Sequence, residues 1–144
     1  RYSNNIVQKW NIKLISSEFV DVFGKQKNIS IVPQELPRAF EQGIAIDASA
    51  ISGFGDESHS DLFLHPDTDT LMLLPWRPEH GRVVRMFCSI SYPDGTPFEC
   101  DTRSLLKKAV QTAKQNGYQS SLVRNKNSIC SIWMKMESDK NSLW

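Results

Sequence analysis

The 144-residue sequence lacks an excess of either charge: 17 Lys and Arg stand against 16 Asp and Glu, a formal net of +1. That balance removes the main ground for a nucleic-acid partner, which needs a clustered basic surface. No apolar run approaches the ~20 residues of a membrane span. No basic stretch followed by an apolar one marks a secretory signal. Cysteine is scarce. Cys88, Cys100 and Cys130 are odd in number, widely spaced and not in C-x-x-C pairs. They argue against a disulfide framework or zinc ribbon and fit a reducing, cytoplasmic setting. The chain opens on Arg1 rather than Met, as expected where native residues precede it. No G-x-S-x-G, H-E-x-x-H or G-x-x-x-x-G-K-[ST] pattern occurs, and no internal repeat or low-complexity tract.

What is present suits one globular α+β domain: 40% hydrophobic and 23% charged residues over a length typical of one domain. Residues 12–20 are β-branched and aromatic, with apolar side chains on both faces, so this strand is expected inside a sheet rather than at its edge. Gly24 supplies a turn, and Ile29 and Ile31 alternate with polar neighbours in a return strand, giving a β-hairpin. Residues 34–42 read as one or two helical turns, limited by Pro37 and stopped by Gly43. Residues 47–60 are small, polar and glycine-containing. They read as a long loop, and such loops often carry function. Short strands follow at Asp61–His65 and Thr70–Leu74 around the turn Pro66-Asp67-Thr68-Asp69, and a longer strand at Val83–Ile90 ends near the turn Pro93-Asp94-Gly95. Residues 103–116 form the clearest helix. Leu105, Leu106, Ala109, Val110 and Ala113 share one face, Asp101 or Thr102 caps the start, and Gly117 ends it.

The chemistry-bearing residues each have a plain alternative. His59, Asp61, His65, Asp67 and Asp69 cluster, and His59, Asp61 and His65 would share a face of an extended strand, where imidazoles and carboxylates hold transition metals. The alternative is a strand end entering a solvated acidic turn, favoured because no recognised ligand spacing is present. Cys88 and Cys100 read as packed or idle thiols, although Cys100 stands where a helix start could lower its pKa. Trp76-Arg77-Pro78 is either an exposed contact or the end of a small core. Lys107, Lys108 and Lys114 read as a solvated helix face.

Four stretches in order resemble the N-terminal β-grasp domain of glutamine synthetase. E-F-V-D-V-F-G-K-Q-K-N-I-S-I at 18–31 is similar to the family's first hairpin. G-I-A-I-D-A-S-A-I-S-G-F at 43–54 resembles its signature, whose core reads F-D-G-S-S-I. S-D-L-F-L-H-P-D at 60–67 resembles its acidic S-D-x-x-L-x-P-D element. F-E-C-D-T-R-S-L-L-K-K-A at 98–109 resembles its D-P-R-x-x-L-x-x-A helix start. The resemblance runs from about Ile12 to Tyr118, the front minority of the family's length. It implies a β-grasp-like small sheet with one main covering helix.

It also implies an ATP-dependent ligase that makes glutamine from glutamate and ammonium through γ-glutamyl phosphate, with Mg or Mn. The implied assembly is a cytoplasmic homo-oligomeric ring whose active sites lie between subunits. Neither ATP nor metal is expected to bind this chain alone, and neither nucleic acid nor membrane is an expected partner. Asp47 matches the ammonium-site carboxylate, catalytic and substrate-binding. Ser49 accompanies it, and Asp61 matches an acidic position facing the neighbouring subunit. Ala48 replaces the signature's Gly and Ala50 its second Ser. Ala48 is less free than Gly to adopt positive φ.

Past Tyr118 the resemblance stops. Codons can be chosen so that the neighbouring frame of 119–144 reads close to the family's next strand. That segment is therefore read as an out-of-frame, poorly packed tail, behind a β-grasp domain over 1–118. A different-class alternative is a free-standing β-grasp interaction module without catalysis.

Overall fold

The computed structural model describes residues 10–55, 61–75, 81–125 and 128–135. The chain divides into two compact units, Arg1–Ser104 and Leu105–Trp144.

The first unit is a six-stranded mixed sheet. Strand β1 (Ile12–Val20) pairs antiparallel with β2 (Gln26–Ile31). The hairpin between them is fastened by Asp21, whose Oδ1 accepts the amides of Phe23 at 3.0 Å and Lys25 at 2.8 Å. Gly24 takes the left-handed φ of 79° that this turn needs. A 3₁₀ turn at Pro33–Glu35 leads into helix α1 (Leu36–Gln42), which buries Leu36 and Ala39. Gly43, at φ 80°, stops the helix, and a Cβ there would come within 2.9 Å of His65 Cε1 and 3.2 Å of the Leu64 carbonyl. The next strand, β3 (Ile44–Asp47), has only four residues, too short for alternation to show in the sequence.

Strand β4 (Asp61–Pro66) lies between β3 and β6 (Arg82–Ser91). The short β5 (Met72–Leu73) pairs with β6 as well, farther along the same edge, after a 3₁₀ turn at Thr68–Thr70. The order is β2-β1-β6-β4-β3. Strand β1 is internal, as its two apolar faces require, but the middle of the sheet is β6, to which β1 runs parallel.

Alternation then sorts the side chains. Ile15, Phe19, Leu62, Leu64, Val84, Met86, Cys88 and Ile90 fill the core face. Leu36 packs into the cluster around Ile15 and Met86, while Ala48, Phe54 and Phe98 close the other end. The Phe54 ring sits 6.0 Å from Phe19 and 5.1 Å from Phe98. Buried aromatic contacts of this kind add ~0.5–1.5 kcal/mol each beyond area burial.

Helix α2 (Thr102–Gln115) begins at the end of the first unit. Asp101 caps it, as expected, and Gly117 follows it at φ 78°. With the sheet it makes the α+β arrangement of one small mixed sheet and one main helix. In the second unit Leu105 is 50% and Leu106 57% exposed. Strands β7 (Tyr118–Asn125) and β8 (Ser128–Lys135) pair antiparallel as a separate two-stranded sheet.

Candidate functional site

The segment read as a loop from 47 starts one residue later and is ordered into turns over its described part. Asp47 is the last residue of β3, and Ala48–Ala50 form a 3₁₀ turn. The turn continues into a second one, with the Ile51 amide on the Ala48 carbonyl and the Phe54 amide on the Ile51 carbonyl, each at 3.0 Å. Buried Phe54 pins this ribbon to the core. Ala48 is fully buried beside Phe19 and Ile46, and no positive φ is required at its position. The substitution of the signature's Gly is thus accommodated by a methyl in the core. Ala50 is exposed. Residues 56–60, including His59, lie outside the described residues.

Asp47 is exposed, and its Oδ1 accepts both the Ser49 amide at 2.9 Å and the Ser49 hydroxyl at 2.6 Å. The Ser49 hydroxyl first, and its amide second, hold the carboxyl below the usual 3.8. The group is therefore a charged acceptor of set orientation. Directly across the ladder stands Asp61, also exposed, at the first position of β4. Opposed residues of an antiparallel pair have Cβ atoms about 4.5–5.5 Å apart, and like charges there repel. Neither aspartate enters an ion pair among the described residues.

The wider His/Asp cluster does not converge. His65 points its Nε2 at Ser91 Oγ, 2.8 Å away. Asp67 accepts the Asp69 amide and pairs with Arg103. Among the described residues no three His, Cys, Asp or Glu side chains come together to hold a metal ion. The Asp67–Arg103 pair has another consequence: it joins the acidic element at 60–67 to the helix start at 98–109. Arg103 and Arg85 both lie over the Phe87 ring, at 5.8 and 5.2 Å, and Arg85 pairs at 3.4 Å with buried Glu18. Sequence reasoning did not find this bracket, because its members come from four separate segments.

Cys88 is fully buried and burial pushes its thiol up to about 12, so it is a core residue and no nucleophile. Cys100 is a free, half-buried thiol. Lys107, Lys108 and Lys114 are exposed. Trp76, Arg77 and Pro78 lie outside the described residues. No helix among the described residues is long and apolar enough to cross a membrane.

A mixed sheet with one main helix, and with a braced carboxylate where one strand enters a loop, defines a β-grasp module that presents an acidic corner. The family model for the glutamine synthetase β-grasp domain matches residues 11–93, and the chain belongs to this family. Glutamine synthetase of Clostridium saccharobutylicum is 38% identical over 137 residues, covering 95% of this chain and 30% of its own length. That of Methanocaldococcus jannaschii is 40% identical over 116 residues, 76% of this chain and 26% of its own. The chain thus spans under a third of the relatives it matches. A cryo-EM structure of Plasmodium falciparum glutamine synthetase shares the fold, with a TM-score of 0.71 at 19% identity over 97% of this chain and 30% of that one.

Proposed function

We propose that this chain is the β-grasp portion of a cytoplasmic glutamate–ammonia ligase that forms glutamine from glutamate, ammonium and ATP. Asp47 is its ammonium carboxylate, lent to the active site of a neighbouring subunit in a homo-oligomeric ring. Asp61 stands beside it and faces that neighbour. The observation that carries the reading is the exposed, charge-retaining Asp47 facing Asp61. Ammonium has to be drawn from bulk water and then lose a proton before its nitrogen attacks an acyl phosphate. An anion does the first, and a carboxylate within hydrogen-bond reach assists the second. Ser49 contributes by locking Oδ1, which orients the whole carboxylate. It is a positioning residue in this arrangement.

The family resemblance implies ATP and Mg or Mn. The described residues contain no convergent metal-ligand set, so no step is assigned to either group on this chain. The contacts to nucleotide, metal and glutamate belong to the part of the protein beyond it. The test is steady-state kinetics of the complete protein with ammonium varied. Asp47→Asn is expected to lower kcat/KM for ammonium while leaving KM for ATP and glutamate within about twofold. An active Asn variant with unchanged ammonium dependence overturns the assignment.

For residues 119–144 the out-of-frame reading meets an opposing observation. The clostridial alignment covers 95% of the chain and so reaches into this segment. The nucleotide sequence separates the two: a single-base shift that restores the family's next strand supports the frame change, and its absence ends that reading.

A further inference from the structure

The ribbon that carries Asp47 has supports of unequal strength at its two ends. At the near end Asp47 is the last residue of β3, a four-residue strand that pairs with β4 at the edge of the sheet. A short edge ladder is among the places where local opening costs least. Between the two ends the chain has little freedom. The Asp47 carboxylate holds Ser49, the Ile51 amide donates to the Ala48 carbonyl, and the Phe54 amide donates to the Ile51 carbonyl. The two turns share Ile51, so whatever holds residues 51–54 also holds the turn at Asp47.

The far end is held twice. Phe54 is buried between Phe19 and Phe98. Next to it, Gly53 meets the tip of the β1–β2 hairpin. A Cβ on Gly53 would overlap Val22 Cγ2, and would stand 3.5 Å from Val22 Cβ and 3.6 Å from Val22 Cγ1. The valine side chain fills the space that a side chain at 53 would take. Gly53 also has φ 84°, a second and separate reason for glycine there.

The hairpin tip is stiff enough to act as one jaw of this contact. Asp21 is 2% exposed and takes the amides of Phe23 and Lys25, while the Gly24 amide donates to the Asp21 carbonyl at 3.0 Å. Just before the tip, the Val20 carbonyl accepts the Thr102 hydroxyl at 3.3 Å, which ties β1 to the start of α2. Val22 itself is 39% exposed. It is not a core residue, and what its contact with Gly53 fixes is the ribbon.

We propose that the hairpin tip is a clasp on the Asp47 ribbon, with Val22 seated on Gly53, and that these two are positioning residues for Asp47. The catalytic consequence rests on the ligase reading; the clasp itself does not.

The test moves one methyl group from one jaw to the other. In the full 144-residue chain, Gly53→Ala should speed amide exchange at Ile51 and Phe54 by about tenfold or more, the usual cost of one overpacked methyl. The β6 amides of Val84 and Met86 should not change. Adding Val22→Ala removes the overlapping Cγ2 and leaves the new methyl 3.5 Å from the Cβ at position 22, an ordinary contact. The double variant should therefore return exchange to within about threefold of the parent. If glycine is needed at 53 for its φ alone, Val22→Ala relieves nothing. Exchange as fast in the double variant as in Gly53→Ala overturns the clasp, and so does parental exchange in Gly53→Ala. If Gly53→Ala does not fold, a folded double variant supports the clasp and an unfolded one overturns it. In the complete protein, kcat/KM for ammonium should fall about tenfold in Gly53→Ala and recover in the double variant, with KM for ATP and glutamate within about twofold. Rescued exchange with ammonium kinetics that never changed overturns the positioning role. An Asp47→Asn variant with unchanged ammonium dependence is the separate failure of the ligase reading, and the exchange experiment decides the clasp without it.

Discussion

The start of α2 and the start of the Ala48–Ala50 turn are both built on an aspartate, and the two regions use it in opposite ways. Asp101 is 1% exposed and spends both oxygens: Oδ1 on the Arg103 amide at 3.2 Å, Oδ2 on the Ile90 amide at 3.3 Å and the Ser104 hydroxyl at 2.5 Å. It ties a helix to the middle strand. Asp47 is exposed, Oδ1 takes both hydrogen bonds from Ser49, and it faces a second carboxylate across the ladder. A carboxylate whose capacity is exhausted inside the fold holds structure. One kept charged at the surface leaves its charge open to a ligand, as the proposed ammonium role uses it.

A crossed pair of substitutions breaks or sharpens this contrast. In the complete protein, Asp47→Ala should reduce glutamine formation by ~10²–10⁴, the usual worth of general-base assistance, with little change in Tm. If Asp47 only braced its turn, Asn would restore activity and Ala would lower Tm instead. Asp101→Ala should do the reverse to stability. It leaves buried donors unsatisfied and removes a cap, costing about 2–4 kcal/mol in urea denaturation. A loss under 1 kcal/mol would show that the helix start is not anchored there.

Exposed apolar surface gives a smaller effect. Leu105, Leu106 and the hairpin-tip Phe23, 69% exposed, leave this chain open to self-association. Light scattering should show concentration-dependent mass, and Leu105→Glu/Leu106→Glu should lower it. A strictly monomeric parent contradicts this.

The smallest effect concerns titration. Asp47 has a folded-state pKa depressed by Ser49, so any stability tied to it is complete above the ordinary value of 3.8 and is lost as pH falls through the lower folded value. Ser49→Ala should move the carbon-13 titration midpoint of Asp47 up towards 3.8. A midpoint that does not move would remove Ser49 as its positioning residue. Cys88, pushed up to about 12, should resist thiol reagents at pH 8 until the chain unfolds. Rapid modification in the folded state would show that the core opens.

Much of this contrast was legible before the structure. Asp101 as a cap and Gly117 as a stop follow from residue type at the ends of a clear helical stripe. Asp47, Ser49 and Asp61 stood out through the resemblance of their motifs. Strand β3 was not legible, since four residues carry too little alternation, and the two tight turns that Phe54 pins inside the following loop were hidden by its small residues.

What the sequence by itself determined is local. The Asp21–Gly24 hairpin turn, the Gly43 stop and the capped helix depend on hydrogen bonds and φ angles set by residues within a few positions of each other. The tertiary structure alone decided the parallel pairing of β1 with β6, the facing of Asp47 and Asp61, the grip of Arg103 on Asp67, and the meeting of His65 with Ser91. Each of those depends on the register between segments far apart in the chain. A register shift of one residue would turn every side chain of a strand to the other face, and only burial of Ile15, Leu64, Met86 and their neighbours in one core selects the register observed.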